Sequence, residues 1–193
     1  MDVNILLFND FQTLDAFGPI EILGRIKEYK LHFCSLDGGT VVSAQGTPVL
    51  TENIKASARN GILVIPGGMG TRRLVDEPSF IDMLKDAAEQ SHICLSICTG
   101  SALLAKTGLL DGRKATSNKI AFGWVVSVNS RVNWIRKARW VTDGKYYTAS
   151  GVSAGMDMTL GFLKDTFGER KAEEVARDIE YIWNSDPTND MFA

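Results

Sequence analysis

Three stretches of this chain are apolar with no sustained polar alternation, and that feature restricts the fold more tightly than any other in the sequence. They are Val3 to Phe8, Ile62 to Ile65 and His92 to Ile97, and each gives way at once to small or polar residues. Strands of that kind are buried on both faces of a parallel sheet. Between them the spacing changes to that of amphipathic helices, with Leu14, Phe17, Ile20, Ile22, Leu23 and Ile26 after the first run and Phe80, Met83, Leu84, Ala87 and Ala88 after Pro78. Pro19 is tolerable only near the first turn of its helix, so Asp15 is expected in a short loop ahead of it. Strands alternating with helices define a single-domain, open, doubly wound α/β sheet, mostly parallel and flavodoxin-like.

Further elements follow from local signals. A strand is expected over about 29–36, closed by Asp37-Gly38-Gly39, and Val41–Val42 with Pro48–Leu50 reads as a short hairpin at the sheet edge. Residues 101–106 read as a helix, and Ser117 or Asn118 is suited to cap another from Lys119 to about Val128. Short strands are expected over 132–134, 139–142 and 146–149, then helices over 151–167 and 169–183. With no internal repeat or linker, residues 1–183 form one expected domain and residues 184–193 a mobile tail.

Charge excludes several classes of function. The 21 basic and 23 acidic side chains leave a formal net charge of −2, and the densest basic stretch, Arg131 to Arg139, is interrupted by Val132, Trp134 and Ile135. Such a stretch reads as a partly solvated strand pair, and nucleic acid is not an expected partner. No apolar run approaches the roughly 20 residues of a membrane span. Asp2 stands where a signal peptide carries positive charge, so a cytoplasmic location is expected. Three cysteines and two histidines give neither a disulfide framework nor a Cys/His zinc site, and no metal is expected.

Ligands of doubly wound sheets bind beyond the carboxyl ends of the strands. Asp15, Gly67–Gly68 and Cys98 all follow such ends, whereas Cys34 and Cys94 lie inside strands. Cys98, in SICTGSALLA, stands where a strand runs straight into a helix, as in a nucleophile elbow. The helix end should favour its thiolate, which matters because a free thiol has a pKa of about 8.5. Gly67 and Gly68, in IPGGMG, can turn backbone N–H groups into the crevice, with the Thr99 N–H as a further donor to an oxyanion, or can simply make a tight turn. Asp15 can share a proton with Cys98 or cap its helix, and the spacing does not choose. His32 lies within a strand and His92 about six residues, roughly 20 Å, before Cys98, so neither can act as its base.

SICTGSALLAKTGLLDGRKAT, together with LDAFGPIE, IPGG and SGVSAGMDM in that order, resembles the ThiJ/PfpI superfamily of the class I glutamine amidotransferase-like fold. The combination is most similar to its isonitrile hydratase branch and to the amidase-like domains of some transcriptional regulators. The resemblance implies attack of Cys98 on a terminal isonitrile carbon, proton and water handling by Asp15, and binding assistance from Thr99. It also implies hydrolysis of a thioimidate to an N-substituted formamide, a small-molecule substrate, no cofactor, and a homodimer. Where many relatives read Thr-His-Trp, this chain has Ser117-Asn118-Lys119, and Asn118 either substitutes as a substrate donor or caps the next helix. Asp157 is a candidate supporting acid or a helix-end charge. A cysteine-oxidation sensor, a ligand-binding domain of a former regulator and a glyoxalase or deglycase-like stress protein are the competing readings.

Overall fold

The structure, a computed structural model, describes residues 1–56 and 60–193. In chain order the elements are β1 (Asp2–Leu6), α1 (Thr13–Leu23), β2 (Lys30–Ser35), β3 (Gly39–Val42), β4 (Pro48–Asn53), β5 (Ile62–Ile65), α2 (Thr71–Leu74), α3 (Pro78–Gln90), β6 (Ile93–Ile97) and α4 (Gly100–Lys106). They continue with β7 (Lys114–Ala115), α5 (Phe122–Val128), β8 (Asn133–Trp134), β9 (Trp140–Asp143), β10 (Tyr146–Ala149), α6 (Ala154–Phe167) and α7 (Glu169–Asp178). Eight strands make one sheet in the order β3-β4-β2-β1-β5-β6-β10-β9, parallel except at its two edges, where β3 and β9 run antiparallel. This is the open, doubly wound α/β sheet that the apolar runs imply.

Burial explains why those runs are uninterrupted. Val3, Ile5 and Leu6 of β1, all of β5 and most of β6 are inaccessible to solvent. Helices α1, α6 and α7 pack together as one group and α2 to α5 as another, covering the two faces. Gly155 in α6 and Gly100 in α4 let these helices approach closely, since a Cβ would lie 2.8 Å from Ile97 Cγ2 in the first case and 2.4 Å from Ile65 O in the second.

Several boundaries differ from the sequence reading. Helix α1 begins at Thr13, so Asp15 occupies its first turn instead of a loop, and Pro19 lies inside the helix. The loops after β1 and β5 are joined by hydrogen bonds from Gln12 N to Gly67 O (2.8 Å) and from Gly70 N to Asp10 O (3.2 Å), which fixes the chain early enough for a helix to start at Thr13. Helix α5 starts only at Phe122, after a turn in which Ala121 N donates to Asn118 Oδ1. Helix α7 stops at Asp178 because the chain turns back, with Tyr181 Oη and Asn184 N both donating to Asp157 Oδ1.

Residues 184–193, expected as a tail, are hydrogen-bonded to the segment before β9 and to its first residue. Arg139 N donates to Pro187 O and Asp190 N to Lys137 O, each at 2.8 Å, and Asp190 is buried. Arg139, assigned to a partly solvated strand pair, is buried as well and binds Asp157 Oδ2 through Nε at 2.6 Å.

Candidate active site

Strands β1, β5 and β6 are neighbours, so the segments that follow them meet at one edge of the sheet. The structure brings Asp15, Gly67, Gly68, Cys98 and Thr99 together there. Cys98 takes a left-handed conformation, with φ at +56°, between the end of β6 and the start of α4. Its backbone is held firmly: Cys98 N donates to Ala149 O at 3.1 Å, and Cys98 O accepts from Ser101 Oγ at 3.0 Å and Ser117 Oγ at 2.8 Å. The strain of a left-handed side-chain residue, about 1–2 kcal/mol, is thus offset by bonds from three other parts of the chain.

Asp15 is fully buried, and its Oδ2 accepts from Gly67 N at 2.9 Å. Burial pushes its carboxyl up to about 7, against the opposing pull of the Gly67 N–H and of the Cys98 side chain. Oδ1 is buried without a conventional hydrogen-bond partner among the described residues. The Cys98 thiol is pushed well above the usual thiol range, first by burial and then by the charge of Asp15, while the Thr99 N–H and hydroxyl pull it back only in part. Burial thus pushes the thiol in the direction opposite to that of the helix-end donors. A single proton exchanged between thiol and carboxyl is the chemistry such a pair can perform.

Gly67 N donates to Asp15 Oδ2 at 2.9 Å and Gly68 N to Thr99 Oγ1 at 3.0 Å, so both N–H groups hold side chains of the site. A Cβ on Gly67 would lie 2.5 Å from Thr99 N and 3.0 Å from Asp15 Oδ2. Gly68, with φ at +128°, lies against the loop after β1, where a Cβ would meet Asp10 O at 2.3 Å. Close backbone approach requires glycine at both positions.

Asn118 Oδ1 accepts from Ala121 N in the turn ahead of α5, and Asn118 also lines a cavity of about 460 Å³. Asp157 stands apart from Cys98, holding Arg139, Tyr181 and Asn184. Cys34 and Cys94 are buried within β2 and β6, and burial pushes Cys94 up to about 12. His32 pairs with Asp2 at 2.8 Å, at the far end of β1, and His92 is exposed.

Three hydroxyls escaped the sequence reading. Thr71 Oγ1 donates to Gly68 O at 2.8 Å and lies 3.1 Å from Thr99 Oγ1, linking the β5 loop to the elbow. Ser101 and Ser117 hold the Cys98 carbonyl. The signal available for them was adjacency to motifs already noted, IPGGMGT, SICTGS and RKATSN.

A cysteine at a strand-to-helix elbow, beside a buried carboxyl at the carboxyl edge of a mostly parallel sheet, defines a distinct class of α/β domain. The chain belongs to the DJ-1/PfpI family, whose model matches residues 1–165. It is 28% identical over 182 residues to the isonitrile hydratase of Pseudomonas putida, a match covering 94% of this chain and 78% of that protein. A deglycase from Pyrococcus horikoshii is 27% identical over 154 residues, covering 77% of this chain and 89% of the relative. Among solved structures, a ThiJ/PfpI family protein from Pseudomonas syringae superposes with a TM-score of 0.85 at 26% identity, over 96% of this chain and 76% of that one. No helix among the described residues is long and apolar enough to cross a membrane.

Proposed function

We propose that the protein adds water to the terminal carbon of an isonitrile, giving an N-substituted formamide, with Cys98 as nucleophile and Asp15 as proton carrier. The observation that carries this reading is the coupled pair itself: a buried carboxyl pushed up to about 7 beside a buried thiol, with neither histidine near it. The similarity to an isonitrile hydratase supports the choice of substrate class.

The steps balance around one proton. Asp15 takes the thiol proton as sulfur bonds to the terminal carbon, then returns it to that carbon, leaving a thioimidate in which carbon carries sulfur and hydrogen and is doubly bonded to nitrogen. Asp15 next takes a proton from water as hydroxide adds to the carbon, and passes that proton to nitrogen. Collapse of the adduct forms the formamide carbonyl, breaks the carbon–sulfur bond, and sends the hydroxyl proton through Asp15 to sulfur. A carboxyl titrating near neutrality suits a group that both takes and returns protons. Thr99 assists by directing its N–H and hydroxyl toward the sulfur, which eases its departure as thiolate.

The reaction belongs in the cytoplasm, where thiols stay reduced, and the assembly is a homodimer by resemblance to the family. The test is incubation of purified protein with a simple alkyl or aryl isonitrile, following formamide release, with Cys98→Ala as control. Turnover that depends on Cys98 supports the reading. No turnover by a folded protein whose Cys98 remains alkylatable overturns it in favour of aldehyde or redox chemistry.

A further inference from the structure

The cavity of about 460 Å³ is lined in part by Leu14, Asn118, Lys119, Arg139, Ser150 and Asp190. Three of these are sequence neighbours of Asp15 or of residues bonded to the Cys98 main chain. Leu14 precedes Asp15, Asn118 follows Ser117, which binds Cys98 O, and Ser150 follows Ala149, which accepts from Cys98 N. One wall of the cavity is basic although nearly dry: Lys119 and Arg139 are each 8% exposed and Ser150 is fully buried. Ser153 and Ala154 at the start of α6 face the same space and add the positive end of a 14-residue helix.

A carboxylate already stands against this wall. Asp190 accepts a hydrogen bond from the Ser150 hydroxyl, and its two oxygens lie 3.8 Å from Lys119 Nζ and 3.7 Å from Arg139 Nη1. Lys119 also donates to Ala138 O at 2.7 Å and Thr116 Oγ1 at 2.9 Å, while Arg139 also binds Asp157, so both cations are fixed in position without Asp190. The four buried charges of Lys119, Arg139, Asp157 and Asp190 cancel. Burial already pulls the Lys119 ammonium down to about 8 and Asp190 is the group that holds it up, so withdrawal of Asp190 leaves a positive charge nearly closed to water that is relieved either by another anion or by loss of the Lys119 proton.

We propose that Lys119, Arg139 and Ser150 form a carboxylate-binding site open to the cavity, and that Asp190 is an internal carboxylate that occupies it until a carboxylate-bearing ligand displaces it. Residues 185–193 then act as a strap that such a ligand releases. The substrate class this implies, an electrophilic carbon carried with a carboxylate, rests on the reading of Cys98 as the reacting group, but the binding site does not, and it is tested without turnover.

The test compares the thermal midpoint of Asp190→Ala in sodium acetate and in sodium chloride at matched ionic strength. At about fivefold its dissociation constant, acetate should raise the midpoint by about 2–4 °C over chloride. The gain should vanish in Asp190→Ala combined with Lys119→Met, and equal midpoints of Asp190→Ala in the two salts overturn the proposal. If Asp190→Ala does not fold in either salt, hydrogen exchange of residues 185–193 in the unaltered protein decides: faster exchange in acetate than in chloride supports displacement of the strap, and identical exchange overturns it. A second arm separates a free carboxylate from one borne by an electrophile. Asp190→Ala should raise the ratio of Cys98 alkylation by iodoacetate to that by iodoacetamide several-fold over the unaltered protein, whereas acetate binding with an unchanged ratio restricts the site to free carboxylates and overturns the substrate class.

Discussion

The Asp15 carboxyl meets the Gly67 backbone nitrogen at 2.9 Å, so an acidic side chain in contact with Cys98 is oriented by main chain from the loop after a neighbouring strand. A backbone donor cannot rotate away, and it leaves the carboxyl free to gain or lose its proton without losing its place. Asp15→Asn keeps an acceptor for Gly67 N and removes only the proton chemistry. It should lower kcat/KM for formamide release by about 10²- to 10⁴-fold, the range contributed by a positioned acid–base group. An equal loss in stability and activity would instead mark Asp15 as a structural group.

Asp15 also makes stability depend on pH in an unusual direction. Its carboxyl titrates at about 7 in the folded protein, against an ordinary value of 3.8. Between these values the unfolded chain has released the proton and the folded protein still holds it, so stability falls as pH rises. The decline should start near pH 4, level off above about pH 7 and amount to a few kcal/mol. Asp15→Asn should lack it, and melting curves of the two proteins across that range make the comparison.

The left-handed backbone of Cys98 gives a test of strain. Cys98→Gly relieves the conformation that Cys98→Ala retains, so the glycine variant should match or exceed the alanine variant by about 1 kcal/mol, or about 2–4 °C in midpoint. Both should be inactive. A glycine variant clearly less stable than the alanine variant would show that the elbow carries no such strain.

Thr71 and Thr99 should behave as a unit. Thr99→Val removes the acceptor of the Gly68 N–H and should cost about 1–3 kcal/mol, the penalty of a buried unpaired donor. Thr71→Val should cost less, and the double variant should depart from additivity by about 0.5–3 kcal/mol. Strict additivity in denaturant unfolding would remove the hydroxyl pair from the framework of the site.

Gly67→Ala should damage the site from a position that carries no reacting group. The added Cβ would lie 2.5 Å from Thr99 N, a backbone atom that cannot swing aside. Displacement of Thr99 and Asp15 should cost about 1–3 kcal/mol in stability and most of the Cys98 reactivity. Near-normal alkylation of Cys98 in this variant would contradict the close packing.

The convergence of Asp15, Gly67, Gly68 and Cys98 was legible because the apolar runs of β1, β5 and β6 admit only a doubly covered parallel sheet, whose carboxyl edge gathers the segments that follow. What each donor binds was not legible. Spacing shows that Gly67 and Gly68 can turn N–H groups inward, but not that Asp15 and Thr99 already occupy them. The upward push on the Cys98 thiol escaped for a related reason, since burial depends on helices packed from elsewhere while the helix-end donors can be read locally. Asp190 was missed because a polar, proline-containing segment carries no periodicity, and its anchorage depends on Arg139 and Lys137, some 50 residues earlier in the chain.

The partners at the elbow are far apart along the chain: Asp15 and Gly67 are separated by 52 residues, and Gly68 and Thr99 by 31. Each parallel pairing between β1, β5 and β6 closes a long loop before it returns any contact energy, so these pairings belong to the slow part of chain assembly. The Asp15–Cys98 pair therefore cannot precede the sheet centre in time. Burial of the Cys98 thiol against Asp15 then serves as a built-in clock for refolding, complete only when the last central strand has docked.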